Sequence, residues 1–210
     1  MQSNAQGSLV SLDYGSVARI SLMGTSPTLH VSGDLNLRAI GDFARTTLLV
    51  SHADSNSTIN GAIDGSLQMV ASGYGSRVAA SFADSTSPSI SIGGDLLAVA
   101  NGAGAAISLE AGAAIKTSGN IFILADSLGG ARFGGFAFVS VARENGGDQV
   151  INVNAIRASD IAVLRINNLS YGGNFYLGMD GGSGTVYLRI DQAQAANIKI
   201  QYTSQGFTNT

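Results

Sequence analysis

Residues 14–37 of this chain, YGSVARISLMGTSPTLHVSGDLNL, return with small changes at residues 74–99 as YGSRVAASFADSTSPSISIGGDLLAV. Tyr14 and Tyr74 lie 60 positions apart, while the pairs Pro27 and Pro88, Gly33 and Gly94, and Asp34 and Asp95 each lie 61 apart, so one added residue reconciles the two copies. Between them IDGSLQMVA, beginning at Ile63, stands where SGDLNLRAI and GGDLLAVAN stand in the copies, and SGNIFILAD, beginning at Ser118, is a further echo. Leu35, Leu67, Leu96 and Ile121 thereby fall 32, 29 and 25 residues apart. A unit of about 30 residues is the size of one solenoid coil and too small for a domain, so it must bury its apolar side against neighbouring copies.

Within each unit the hydrophobic period is 2, the spacing of a strand with one wet face. Leu29, Val31, Leu35, Leu37 and Ala39 fall on one side, and His30, Ser32, Asn36 and Arg38 on the other. The alternation continues through Ile90 and Ile92, Ile107 and Leu109, Ile151 and Val153, Val186 and Leu188, and Ile198 and Ile200. Clusters such as GYGS, NGAGA, ENGGD and MDGGSG separate these runs and supply the positive φ and local hydrogen bonds that turns need. Strands at this spacing fit a sandwich, a barrel or a solenoid. The repeat selects an all-β solenoid, a parallel β-helix with coils of about 30 residues, with a β-sandwich as the alternative.

Composition bears on helix. Only 12% of the 210 residues are charged, about half the usual share, and there are two glutamates and two lysines in all. Amphipathic surface helices draw their outer faces from those residues, so helix is expected only in short pieces, around residues 191–197 and at 103–114. The expected organisation is a repetitive solenoid over residues 1–126 and an aromatic-rich capping or assembly region over 127–210, continuous with the first as one elongated domain. Ten of the 14 aromatics lie from Phe122 onward.

Several function classes lack their signatures. The net charge is −3 and the arginines are scattered, which leaves no electrostatic footprint for nucleic acid. No apolar run approaches the roughly 18 residues of a membrane span. There is no P-loop, HExxH, nucleophile elbow or zinc-ligand spacing, and His30 and His52 are read as an outward strand residue and a loop residue. The expectation is a protein that is not an enzyme. The chain has no cysteine, which suits export in the unfolded state.

With its Gly/Ala/Ser/Thr/Asn-rich strands, its recurring SGDLNL, GGDLLA and SGNIFI motifs and its lack of cysteine, the chain resembles bacterial exported repetitive surface proteins. The nearest types are β-solenoid adhesins of the filamentous-haemagglutinin kind and S-layer proteins exported by type I secretion, and the resemblance covers roughly residues 9–126. It implies a structural, adhesive or self-assembling role outside the cell or at its surface, with further copies of the chain or a cell-surface glycan as partner. A glycan-binding or glycan-cleaving β-helix module is the alternative. The calcium-binding nonapeptide GGxGxDxUx of the type I class is never intact; in GGSGTVYLR, residues 181–189, Thr185 stands where the aspartate belongs.

Two groups of residues are candidates for a site. Asp34 and Asp95 occupy matching repeat positions and Asp64 lies in the intervening unit, two residues from the register at Ser66. Stacked about 4.8 Å apart, such carboxylates would repel, and calcium is the candidate cofactor for clustered oxygens. In the last third, Tyr176, Tyr187 and Arg189 alternate with Phe175, Leu177, Val186 and Leu188, so both faces of these strands carry bulky groups and only one can meet the core. Together with Tyr171 and Tyr202 they form the expected assembly surface, because Tyr and Arg are enriched where surfaces become interfaces.

Overall fold

The computed structural model describes residues 2–5, 8–10, 16–24, 28–52, 60–83, 89–111, 115–128, 133–144, 149–170, 175–179, 182–193 and 198–202. The strands in chain order are β1 (Gln2–Ala5), β2 (Ser8–Val10), β3 (Val17–Gly24), β4 (Thr28–Val31), β5 (Leu35–Ile40), β6 (Arg45–His52), β7 (Asn60–Ile63), β8 (Leu67–Ser72), β9 (Arg77–Ala83) and β10 (Ser89–Ile92). They continue as β11 (Leu96–Asn101), β12 (Ala106–Ala111), β13 (Ile115–Thr117), β14 (Ile121–Asp126), β15 (Phe136–Glu144), β16 (Gln149–Ala155), β17 (Ile161–Ser170), β18 (Phe175–Met179), β19 (Thr185–Ala193) and β20 (Ile198–Tyr202).

Every pairing between them is parallel. Sheet A runs β1-β4-β7-β10-β13, sheet B runs β2-β5-β8-β11-β14-β16-β18-β20, and sheet C runs β19-β17-β15-β12-β9-β6-β3. The chain visits A, B and C in turn and then steps to the next coil, which is a three-sided β-solenoid and not a sandwich of antiparallel strands. From β14 onward the described strands belong to sheets B and C alone.

The interior is built from columns of equivalent side chains. Leu35, Leu67, Leu96 and Ile121 stand in direct register, with Ile151 next above, and all five are at most 3% exposed. Beside them Ala39, Ala71, Ala100, Ala125 and Ala155 form an all-alanine column. A sheet that bends into a corner has no room for larger side chains at the strand end, which is why small residues were needed there. The near-60 repeat is two coils long: the YGS segment that ends at Ser76 leads into β9, and the one that ends at Ser16 leads into β3, with β6 between.

No helix occurs among the described residues. The two helices expected from sequence are corrected: residues 106–111 form β12, residues 191–193 end β19, and 194–197 lie outside the described residues. The local pattern around residue 103 is alanine-rich, but Ile107 and Leu109 alternate with period 2 and pair with β9, so the sheet outweighs propensity. His52 is the last residue of β6 and not a loop residue.

Corners are where the sequence must satisfy the stacking distance. At the corner entering sheet B, Gly33, Gly65, Gly94 and Gly119 stack, the amides of Gly65, Gly94 and Gly119 each donating to the glycine carbonyl of the coil before. A Cβ on Gly119 would lie 2.6 Å from the Gly94 carbonyl carbon, closer than real contacts allow. At the corner entering sheet C, Gly41, Gly73 and Gly102 have positive φ, as do Phe43, Gly75 and Gly104 two residues on. Phe43 is the one non-glycine in that second group, at φ 59°. Left-handed backbone costs a side chain about 1–2 kcal/mol. The edge-to-face contact of its ring with Tyr74, worth about 0.5–1.5 kcal/mol, offsets most of that.

Candidate interaction surfaces

The structure gives Asp34 and Asp95 a different task from the one the repeat suggested. Asp34 and Asp95 do occupy the same corner position, but Ser66 stands between them in the coil stack, so the two carboxylates are not neighbours. The Ser66 amide donates to Asp34 Oδ1 at 2.7 Å, the Asp95 amide donates to Ser66 Oγ at 3.1 Å, and the Asn120 amide donates to Asp95 Oδ1 at 2.7 Å. Each side chain thus caps the corner amide of the next coil, which the sheet ladders leave unpaired. Alternating Asp with Ser or Asn spaces the charges and keeps an acceptor at every level.

Asp64 lies elsewhere on the corner, with its carboxylate 3.2 Å from His30 Nε2; both side chains are about half exposed. Asp34, Asp64 and Asp95 therefore do not converge on one point, and among the described residues no group of three His, Cys, Asp or Glu side chains is placed to hold a metal ion. The residues do not fit a shared calcium site. For Asp95, the expected result is that Asp95→Ala lowers stability by about 1–2 kcal/mol, since it strips the Asn120 amide of its acceptor, while Asp95→Asn keeps Oδ1 and loses much less. Urea denaturation of the two variants measures the difference; equal losses would remove the corner ladder as a source of stability.

A second carboxylate, missed from the sequence, is fully buried. Asp160, the residue before β17, is 0% exposed and accepts three amides: Gly135 N–H to Oδ1 at 2.8 Å, and Ser127 N–H and Arg157 N–H to Oδ2 at 3.1 and 2.9 Å. Ser127 and Gly135 are the two ends of the long corner between β14 and β15, where earlier coils use four residues. The buried carboxylate pins both ends of that excursion and the corner of its own coil. Nearby, Arg157 Nε sits 3.2 Å from Asp126 Oδ1 at a more exposed pair. The only sequence signal was an aspartate where other coils carry Ala44, Ser76 and Ala105 before their sheet C strands, which emerges once the corners are aligned.

Of the expected assembly residues, Tyr187 is 55% exposed and Arg189 is also exposed, on the outer side of β19, while Val186 and Leu188, which alternate with them, pack against the core. Tyr176 and Tyr202 lie in β18 and β20, with Tyr176 in register with Val150 and Lys199, and Met179 with Tyr202. Tyr171 lies outside the described residues. Tyr187 is aligned with Val163 and Phe138 on sheet C, so it extends a line of outward apolar groups.

A further exposed set was not anticipated. Phe43, Tyr74 and Phe133 run along the corner between sheets B and C at 47%, 42% and 55% exposure, with successive ring centroids 5.3 and 6.2 Å apart. The interplanar angles of 84° and 77° make it an edge-to-face ladder. Phe43 and Tyr74 sit one position apart in GDFA and GYGS, so a repeat anchored on the YGS words hides their proximity.

β3 and β19 are the outermost described strands of sheet C. Their inward residues Ile20, Leu22, Val186 and Leu188 are only partly buried, whereas Leu48, Ala80, Leu109, Val139 and Leu164 in the coils between are at most 1% exposed. Compared with known proteins, the chain matches no family model, no curated protein and no solved structure.

Proposed function

We propose that this chain is a structural or adhesive surface protein, secreted or held at a bacterial cell surface, that acts by self-association or attachment and not by turnover. One observation carries the reading: among the described residues β3 and β19 are the outermost strands of sheet C, and their apolar inward side chains are only half-covered. An unpaired parallel edge over exposed apolar surface is the feature by which β-proteins add further strands, and natural monomers blunt it with charge, proline or a covering element. Exposed Tyr187 and Arg189 on the outer side of β19 supply residue types that favour interfaces.

Sedimentation velocity and electron microscopy of the purified chain test this. Concentration-dependent assembly is expected. Tyr187→Asp is expected to reduce assembly while leaving the circular dichroism spectrum intact. A wild-type chain that stays monomeric at high concentration would refute self-association.

The exposed ladder Phe43–Tyr74–Phe133 favours a second reading, a glycan-binding surface, since aromatic rings exposed in a row offer apolar faces and edges to sugar rings. Binding to a glycan array that Tyr74→Ala abolishes would support it, and equal binding by the variant would dismiss it.

A further inference from the structure

Arg19, Arg45 and Arg77 are scattered along the chain and gathered by the stack. They are exposed on the outer side of β3, β6 and β9, neighbouring strands of sheet C, with Arg45 and Arg77 in direct register. β3, β6 and β9 contain no acidic residue, so a chain of net charge −3 carries a basic patch there. Two guanidinium groups on strands about 4.8 Å apart repel each other. Neither Arg45 nor Arg77 is ion-paired or hydrogen-bonded through its side chain among the described residues. An anion laid across both heads relieves that repulsion.

The arginines flank the exposed ring ladder. Arg45 follows Phe43 by two residues and Arg77 follows Tyr74 by three, each opening its sheet C strand, so both guanidinium groups stand on the sheet C side of the rings. The ladder depends on small residues between the rings. Gly75 has φ 64°, and a Cβ there would come within 3.1 Å of the Phe43 ring, so glycine leaves that ring its place. In the next coil Ala103 and Gly104 stand where a larger side chain would part the rings, and the Gly104 amide donates to the Phe133 carbonyl, which brings Phe133 up to Tyr74. On the opposite side Asp42 is exposed, with Oδ1 accepting the Tyr74 amide at 2.8 Å, so this carboxylate is turned toward the backbone.

Building on the glycan-binding reading, we infer that this corner binds an acidic polysaccharide, a polyuronate whose carboxylates reach Arg45 and Arg77 while its sugar rings lie along Phe43, Tyr74 and Phe133. Charge complementarity calls for an anion, and the guanidinium fork matches the two oxygens of a carboxylate. The row runs along the solenoid axis with one arginine per coil, and one pyranose unit of an extended chain is close in length to one coil. Single-stranded nucleic acid fits less well. Successive rings stand at 84° and 77° to one another, so bases find no series of parallel faces to stack on. Sugar C–H groups meet the negative ring faces and sugar oxygens the positive edges, so alternating orientations suit them.

Isothermal titration calorimetry with hexamers of galacturonate and of mannuronate, with their methyl esters and with a thymidylate hexamer tests this. Esterification removes the charge and leaves the sugar backbone. At least one uronate hexamer is expected to bind about tenfold or more tightly than its ester and the thymidylate, with an affinity that falls as salt rises. Arg45→Gln and Arg77→Gln in one chain should erase the preference for acid over ester, and Tyr74→Ala should weaken acid and ester alike. Circular dichroism should be unchanged in both variants, because all three side chains are exposed. Equal binding of acid and ester would overturn the acid specificity and leave the glycan reading standing. Tighter binding of thymidylate, or arginine-dependent binding that Tyr74→Ala does not touch, would overturn the proposal in favour of a general anion patch. If neither uronate binds, the proposal falls, and the glycan reading falls with it only if the glycan array is also blank.

Discussion

Leu96→Ala is expected to destabilise the protein by about 3–5 kcal/mol, whereas Leu97→Ala, one residue along, costs less than about 1 kcal/mol when measured below the concentration of self-association. Leu96 is 0% exposed and sits in register between Leu67 and Ile121, so its truncation leaves a cavity bounded by two coils that the rigid strand spacing keeps from closing. Leu97 points outward and is only half-buried. In a solenoid each coil rests on its neighbours alone, so the cavity also weakens the coupling between the coils on either side. Urea denaturation should then show a lower midpoint and a broadened transition for the Leu96 variant. Equal losses at the two positions would mean that the strand faces are assigned the wrong way round.

The second large effect is expected at Asp160. Asp160→Ala removes the acceptor of three amides at once, two of them buried, and should cost about 3 kcal/mol, because each buried N–H left without a partner carries its own desolvation penalty and hydrogen bonds to a charged acceptor are the stronger kind. Asp160→Asn is not a rescue: its amide nitrogen would point a donor at donors. The comparison is Asp126→Ala, which loses the exposed pair with Arg157 and one bond from the Leu128 amide, and should cost about 1 kcal/mol. Hydrogen exchange should show the Ser127, Gly135 and Arg157 amides losing protection in the Asp160 variant before the all-alanine column is affected. If Asp160→Ala melts within a degree or two of wild type, the carboxylate is not what closes the long corner.

Much of the fold was legible because it is periodic in two ways. The period-2 alternation assigned Leu29, Val31, Leu35, Leu37 and Ala39 to the interior, and the structure buries all five. The coil-length repeat placed Leu35, Leu67, Leu96 and Ile121 in one column, and they pair residue for residue. Both signals arise from local rules, side-chain alternation along a strand and the fixed path length of one coil, so they survive in a linear string. The same rules put Tyr187 and Arg189 on the outer side of β19 and Val186 and Leu188 on the inner.

What only the tertiary structure decided concerns the neighbours one coil away. Asp34 and Asp95 look like partners in an alignment two coils long, yet the coil between them supplies Ser66, and the Ser66 and Asn120 amides each take one oxygen of the two carboxylates. Asp160 carries no local mark of burial; it is buried because the corner after β14 is longer than the others and its ends must be tied. Arg38 and Asn154 lie 116 residues apart in the chain, and the stack sets them at opposite ends of one outward column. Alternation says which way a residue points, whereas what it points at depends on how many coils intervene, and that number is a property of the stack.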